Sequence, residues 1–207
     1  MSKGKCPRPA QPVFSRAKRV WRSLVGVLLV MAAGASALGS WESAPGERRP
    51  SLDEVEAAYL YNFGKFVRWP GNAGQGPVLI CVAGPDPLAQ TVRKLVLGEQ
   101  IDGRPLQVRV LDGTEEASSC SILFVGALER QHEDEYLAAT AGKPVLTVGD
   151  APDFLARGGI LELLLVGDHV RFSVNLNAAN RNGLSLSSEL LKVAIRVTGL
   201  PGDGGVK

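Results

Sequence analysis

Residues 78–98 read VLICVAGPDPLAQTVRKLVLG, a continuous apolar run followed by an amphipathic helical pattern. The run over residues 78–83 is typical of a parallel strand that is buried on both faces. Asp86 and Pro87 then supply a helix cap and a first helical residue whose missing N–H is tolerated. The helical spacing of apolar residues continues until Gly98. This segment therefore predicts a strand and a helix that packs against a parallel sheet.

The alternation of strand and helix continues along the chain and ends in a hairpin. Strand patterns recur at residues 106–110, 122–125 and 145–148, and two further arms at 160–166 and 170–176 flank a Gly-Asp turn. Because parallel strands are joined by right-handed crossovers, we expect a three-layer α/β sandwich with helices on both faces of a mostly parallel sheet. With the first four strands numbered along the chain, the expected order is 2-1-3-4, and the hairpin continues the sheet beyond strand 4.

The first helix is predicted to begin after Ser51, where residues 51–54 (SLDE) match a capping box. Spacings of three and four predict a buried face formed by Leu52, Val55, Tyr59, Phe63 and Phe66. The acids Asp53, Glu54 and Glu56 stand in the first turn, where they favour the helix dipole. Further helices are expected over residues 129–141, 152–156 and 188–198.

The N-terminal segment carries a different pattern. Seven Lys and Arg residues without any acid precede an apolar run at residues 25–33, and the triplet Ala35-Ser36-Ala37 follows. This order is typical of a secretory signal peptide. An uncleaved inner-membrane anchor is the alternative, although the apolar segment is short for a span of about 20 residues. We therefore expect a signal peptide over 1–37, a flexible linker over 38–50, an α/β domain over 51–199 and a flexible tail over 200–207.

Removal of this leader changes the charge balance of the chain. The full sequence has 23 Lys and Arg against 21 Asp and Glu. Without the seven basic residues of the leader, 16 remain against the same 21 acids, a net charge of about −5. This balance excludes the basic footprint of a nucleic-acid-binding protein. Secretion to the periplasm also argues against functions that depend on cytoplasmic ATP or NAD.

Two cysteines, Cys81 and Cys120, remain after the leader. An even number in an oxidising compartment favours a disulfide. Cys81 lies within strand 1 and Cys120 at the entry to strand 3, which the expected order makes neighbours, so a bridge is sterically possible. Two buried free thiols that pack as small apolar groups are the alternative.

Residue types that carry catalysis are sparse in this chain. His132 and His169 are the two histidines, and neither belongs to a cluster with metal-ligand spacing. The turn after the first strand holds one glycine instead of the Gly-x-Gly-x-x-Gly of dinucleotide sites. We therefore expect no enzymatic activity, no cofactor and no metal. A small ligand in the crevice at the carboxyl ends of the strands, near Gly84, Gly126 and Asp150, is an alternative function.

Two segments have features of a partner-binding surface. Arg68, Trp69 and Pro70 follow the first helix, and Arg and Trp are frequent in interface hot spots. Trp69 has the alternative role of a core residue at the sheet edge. Arg171 and Asn175 share one face of the second hairpin arm, where they either pair inside the fold or line a partner surface.

Six short segments carry a family resemblance when they are taken together. They are residues 57–63 (AAYLYNF), 65–70 (KFVRWP), 145–148 (VLTV), 158–159 (GG), 171–176 (RFSVNL) and 183–191 (GLSLSSELL). In order and spacing they resemble the YfiR family of secreted bacterial proteins, over about residues 52–197. The resemblance implies a flavodoxin- or Rossmann-like sandwich, and it implies that Cys81 and Cys120 are a family disulfide pair.

The resemblance also implies a function. It predicts a non-enzymatic periplasmic repressor that binds the periplasmic sensor domain of an inner-membrane diguanylate cyclase, or of a sensor kinase, and holds it inactive in cyclic di-GMP signalling. An outer-membrane lipoprotein and a second copy of the chain are further partners that it implies. Because many family members have no assigned partner, the resemblance predicts the fold more strongly than the partner.

The glycine pair Gly158 and Gly159 is expected to end a helix and turn the chain into a strand. Some members of the family bear a second cysteine pair that flanks this turn. The corresponding positions here are Leu155 and Glu162, so we expect that second bridge to be absent.

Overall fold

The structure, a computed structural model, describes residues 48–71 and 76–200. The predicted signal peptide, all but the last three residues of the predicted linker and all but the first residue of the predicted tail lie outside these ranges. Within the described residues, no helix combines the length and the apolar character needed to cross a bilayer.

Over these ranges the chain alternates short helices with short strands. The helices are α1 (Leu52–Phe66), α2 (Leu88–Leu95), α3 (Glu133–Thr140), α4 (Leu176–Arg181) and α5 (Ser188–Val193), with 3-10 turns at Ala117–Ser119 and Ala127–His132. The strands are β1 (Val67–Arg68), β2 (Val78–Ala83), β3 (Gln100–Ile101), β4 (Arg104–Leu111), β5 (Ile122–Val125), β6 (Leu146–Gly149), β7 (Leu161–Val166), β8 (His169–Asn175), β9 (Ser185–Leu186) and β10 (Arg196–Thr198).

Eight of the described strands form one mostly parallel sheet, in the order β10-β8-β7-β6-β5-β2-β4-β3. The strands from β4 to β7 in this order run parallel, and β7 and β8 form the antiparallel hairpin. Because the first four predicted strands are β2, β4, β5 and β6, the predicted order 2-1-3-4 followed by the hairpin is confirmed. The short strands β3 and β10 extend the sheet at its two edges. Strands β1 and β9 pair separately.

The two faces of the sheet enter two different cores. On β2, Ile80 and Val82 enter the larger core together with α1, α2, α4 and α5. Cys81 and Ala83 point the other way into a smaller core that contains Tyr136 of α3. A strand whose alternate residues are buried on opposite faces needs a helical layer on each side. The predicted three-layer α/β sandwich is therefore confirmed.

A disulfide joins Cys81 and Cys120, whose Cα atoms are 5.9 Å apart. Cys81 lies in β2 and Cys120 stands two residues before the neighbouring β5, so the bridge ties together two adjacent strands. Both cysteines are buried in the smaller core. The predicted pairing is confirmed, and the alternative of two free thiols is wrong.

The buried face of α1 differs from the predicted one, although its capping box forms as expected between Ser51 and Glu54. The buried residues are Glu56, Ala57, Leu60, Phe63 and Gly64, whereas Leu52 and Phe66 are largely exposed. Two small residues explain why a different face of α1 is buried. A Cβ at Gly64 would collide with the side chain of Ile101, so α1 makes its closest approach to the fold on the side that carries Ala57 and Gly64.

The C-terminal and central helix predictions were partly wrong. The predicted helix over 188–198 ends at Val193, because the N–H of Ile195 donates to Phe172 O and residues 196–198 pair with the open edge of β8. The β-branched residues of this segment favour such pairing.

The predicted helix over 152–156 forms turns, since Asp153 adopts a left-handed φ of 67° that no helix accepts. The predicted acidic helix begins as a 3-10 turn and becomes α3.

Candidate functional site

Trp69 closes the end of the sheet at which the parallel strands begin. Its half-buried indole packs against the larger core and donates from Nε1 to Ser121 O, at 3.3 Å, just before β5 starts. Arg68 lies outside this contact, on β1, and approaches Asp102 to 3.6 Å with both side chains 70% exposed. Pro70 is exposed as well. At this corner Arg68 and Pro70 therefore face solvent, and Trp69 is largely a packing residue.

Arg171 lines a separate groove between the start of α1 and the β7–β8 hairpin. The groove has a volume of about 860 Å³ and includes Leu52, Leu165 and Arg49. Leu165 is 67% exposed and Leu52 is 49% exposed, which is unusual for leucine side chains that share one surface. Because α1 has 15 residues and is about 22 Å long, this groove and the Trp69 corner lie at opposite ends of that helix. The predicted partner-binding residues therefore belong to two surfaces.

Asn175 connects three parts of the fold. Its Oδ1 accepts from Ala178 N at 3.0 Å, which caps α4, and its Nδ2 donates to Leu155 O at 3.1 Å. Of the two roles predicted for this residue, the structure gives it pairing inside the fold. The partner surface that we propose below leaves Asn175 out.

Two substitutions of Asn175 distinguish the contributions of its two hydrogen bonds to stability. We expect Asn175→Ala to lower the free energy of unfolding by about 2 kcal/mol, because it removes both the helix cap and a half-buried hydrogen bond. Asn175→Asp keeps the capping oxygen and loses the donor to Leu155, so it is expected to recover part of this loss. Urea unfolding of both variants checks the order. A stability equal to that of wild type in Asn175→Ala would contradict the structural role.

The Gly158 and Gly159 turn is built around one aromatic ring. Gly158 adopts φ of +109°, and the N–H of Gly159 donates to Phe154 O at 2.9 Å. A Cβ at Gly159 would overlap the ring of Phe154, which is fully buried. Each glycine is thus required for a different reason, Gly158 for its backbone conformation and Gly159 for space.

Beside this turn, Leu155 and Glu162 form a hydrogen bond. The N–H of Leu155 donates to Glu162 Oε2 at 3.3 Å, and both residues are buried. The contact joins the turn to β7, as a covalent bridge at these positions would. It also provides a hydrogen-bond partner for the buried Glu162 carboxylate.

Carboxylates of the chain itself border the predicted crevice at the carboxyl ends of the strands. The Glu129 side chain lies where a Cβ on Gly84 would stand, and Asp86 Oδ2 lies 2.7 Å from the corresponding position on Gly126. Asp150 Oδ1 accepts from the N–H of Ala127 at 2.7 Å. The three predicted residues do lie around one edge of the sheet, in acidic surroundings, and there is open space beside Gly84, which lines a pocket of about 350 Å³, and beside Asp150, which lines one of about 180 Å³.

Glu56 is the residue of this region that the sequence pattern did not reveal. It is only 7% exposed, on the inner side of α1, and no described residue forms a hydrogen bond with its carboxylate. Burial, together with the nearby negative charges of Asp150, Asp53 and Asp86, raises the pKa of Glu56 to about 7. The one sign of its burial in the sequence is its position four residues before Leu60, which places both residues on the same face of α1.

This raised pKa predicts the pH dependence of stability. In the unfolded chain Glu56 titrates near 4.5 and in the folded chain near 7, so between these values the folded state holds more protons. The contribution of Glu56 to the free energy of unfolding is therefore most favourable below pH 4.5 and is lost as the pH rises through 7. Because Gln does not titrate, we expect the stability of Glu56→Gln relative to wild type to increase by about 3 kcal/mol between pH 4.5 and pH 8.

The exposed Glu135→Gln is the matched control, and its difference from wild type is expected to stay constant over this range. Urea unfolding of the three proteins at several pH values is the measurement. A constant difference for Glu56→Gln as well would contradict the raised pKa.

Two solved structures show limited similarity to the chain. One is a conserved domain protein from Vibrio cholerae O1 biovar eltor, with 11% identity and a TM-score of 0.49, covering 71% of this chain and 60% of that one. The other is the ABC domain from Streptococcus pneumonia in complex with L-Trp, with 12% identity and a TM-score of 0.43, covering 57% and 56%. This chain thus matches three fifths or less of the length of each.

A family comparison covers more of the sequence. A sequence model described as YfiR/HmsC-like matches residues 53–195. This range runs from the first turn of α1 to the last residue before β10, so it contains the disulfide, the hairpin and the glycine turn. The match includes every segment on which the resemblance was based. The chain therefore belongs to the YfiR/HmsC-like family.

Proposed function

We propose that this protein is a non-enzymatic periplasmic regulator that binds the periplasmic sensor domain of an inner-membrane diguanylate cyclase and restrains its activity. Membership of the YfiR/HmsC-like family over residues 53–195 is the observation that carries this proposal. The predicted signal peptide at residues 1–37 supports a periplasmic location. A sensor kinase with a periplasmic domain is the variant of the same proposal, since either enzyme can be held in one of two states by a bound protein.

The groove beside Arg171 is the surface that we assign to this partner. It combines exposed leucines with the guanidinium groups of Arg171 and Arg49, both of which are exposed. Apolar area with arginine at its border is the composition of an interface hot spot, and it suits a partner surface that carries apolar and acidic side chains. The exposed Arg68 and Pro70 form a second surface, which suits a further partner such as an outer-membrane lipoprotein or a second copy of the chain.

In-cell crosslinking of the tagged protein, followed by mass spectrometry of the membrane fraction, tests the proposal. We expect recovery of a cyclase with a periplasmic domain, and a rise in cellular cyclic di-GMP when the gene is deleted. Arg171→Glu is expected to lower the recovery about tenfold, because it reverses a charge in the lining of the groove. Arg93→Glu, an exposed residue of α2 outside the groove, is the matched control and is expected to retain the partner.

Three results would contradict parts of this proposal. Unchanged cyclic di-GMP together with no membrane partner would overturn the regulator function. Loss of the partner in Arg68→Glu but not in Arg171→Glu would move the binding surface to the Trp69 corner. If only copies of the protein itself were recovered, the result would indicate self-association and would argue against a membrane partner.

A further inference from the structure

A small cavity lies beside the partner groove, between the N-terminal half of α1 and the β7–β8 hairpin. Its volume is about 180 Å³, and its lining residues are Leu52, Glu56, Asp150, Leu163, Leu164, Leu165 and Val170. Two carboxylates therefore stand in an otherwise aliphatic wall. At about 30 Å³ for each water molecule, the space suits a ligand of about five or six non-hydrogen atoms.

Among the buried carboxylates of the described chain, Glu56 is the one with neither an ion pair nor a hydrogen bond to a described residue, whereas Glu133 lacks only the hydrogen bond. Glu162 accepts from Leu155 N, and Glu133 lies 2.6 Å from Arg157 Nε. Glu56 has neither a hydrogen bond nor an ion pair with a described residue, although it is 93% buried and borders the cavity. Its carboxylate oxygens keep some contact with solvent and border the cavity, so a group of opposite charge in the cavity could pair with them and would be favoured.

The charges around Glu56 have one sign. From its own helix Asp53 approaches it, from the loop after β2 Asp86 does, and from the loop after β6 Asp150 does, and each of them raises its pKa. No described cation lowers that pKa. Asp150 lines the cavity with Glu56 and is held in place by the N–H of Ala127. The site therefore offers a concentrated negative charge at one end and aliphatic contact at the other.

This composition identifies the class of cation. Among the described residues, no group of three or more His, Cys, Asp or Glu side chains has the arrangement that could hold a metal ion. Four leucines in the lining would give a hydrated metal ion no favourable contact. A primary ammonium group on a short aliphatic chain matches both parts, because its N–H groups can donate to the carboxylates while its methylene groups contact Leu163 and Leu165.

We propose that the cavity between Glu56 and Asp150 is a binding site for a small primary alkylamine in its protonated form. The ammonium group donates to Glu56 and Asp150, and the alkyl chain occupies the leucine-lined part. This site does not depend on the regulator function proposed above, since it requires no protein partner.

Isothermal titration calorimetry with butylammonium chloride tests the site on the purified protein, with 1-butanol as the neutral analogue of the same size and NaCl for equal ionic strength. We expect butylammonium to bind and 1-butanol to bind at least tenfold more weakly. Because the carboxyl group of Glu56 loses its proton near pH 7, we expect affinity for butylammonium to be about tenfold higher at pH 8.5 than at pH 5.5.

Glu56→Gln is expected to lower the affinity about tenfold or more and to remove most of this pH dependence. Glu135→Gln, an exposed residue of α3, is the matched control and is expected to bind like wild type. Equal binding of 1-butanol and butylammonium, or no binding of butylammonium at either pH, would overturn the proposal without any variant. Unchanged affinity in a folded Glu56→Gln protein would overturn it as well.

Discussion

Replacement of Cys81 and Cys120 together by alanine is expected to lower the free energy of unfolding by about 4 kcal/mol. The two cysteines are 39 positions apart, and a crosslink that closes a loop of about this length restricts the unfolded chain by that amount in the chain-entropy model. Because native domains are stable by only about 5–15 kcal/mol, this is a large fraction of the total. The bridge therefore is expected to decide whether the domain remains folded under mild stress.

Urea unfolding of wild type and of the double variant measures this effect. Wild type treated with a reductant is the matched control, and it is expected to unfold like the double variant because the loop constraint is lost in both. Alkylation of the native protein without reductant, read at the peptides that contain Cys81 and Cys120, provides an independent check. Labelling of both thiols would contradict the disulfide, and equal stability of all three proteins would contradict its energetic role.

Phe154→Ala is expected to lower the free energy of unfolding by about 3–5 kcal/mol, the usual range for loss of a fully buried phenylalanine. The same ring makes the adjacent turn intolerant of a side chain. Gly159→Ala would push its Cβ into the ring, and we expect it to cost about 3 kcal/mol in the wild-type background. In the Phe154→Ala background the methyl group enters the vacated space, so its cost is expected to fall below about 1 kcal/mol.

Gly158→Ala is the matched control for this double-mutant cycle. A Cβ at Gly158 meets no atom within 4 Å, but its φ of +109° is strained for any other residue. Its cost is therefore expected to be the same with and without Phe154. Denaturant unfolding of the single and double variants gives both coupling energies. Additivity at Gly159, or strong coupling at Gly158, would contradict the packing that the structure describes.

Several parts of the fold were predictable because they depend on local pattern. The apolar run at β2, the capped helix after it and the glycine that ends the helical pattern all follow from residue spacing. The strand order followed because parallel strands need right-handed crossovers, and this order placed Cys81 next to the strand entered by Cys120. The capping box at Ser51 was also predictable, since its hydrogen bonds join residues only three positions apart.

Other features were decided by contacts between distant segments. The segment at 196–198 has side chains compatible with a helix or a strand, and the open edge of β8 made it a strand. The predicted partner residues Trp69 and Arg171 lie near opposite ends of α1, because β1 leaves one end of this helix and the hairpin tip passes the other. Asn175 caps α4 because the second hairpin arm ends where that helix begins.

Glu56 is the clearest example of a feature that the sequence pattern could not predict. Its sequence neighbours place it in a first helical turn rich in acids, where a solvated carboxylate is the expected state. The close approach of α1 through Ala57 and Gly64 turns this one acid inward, beside Asp150 from a loop almost a hundred residues away. Sequence alone predicted the main parallel strands and their order, because these follow from periodicity and strand connection, and it left the disulfide beside the alternative of two free thiols. Tertiary packing alone decided which helix face is buried, and with it the position of the unpartnered charge.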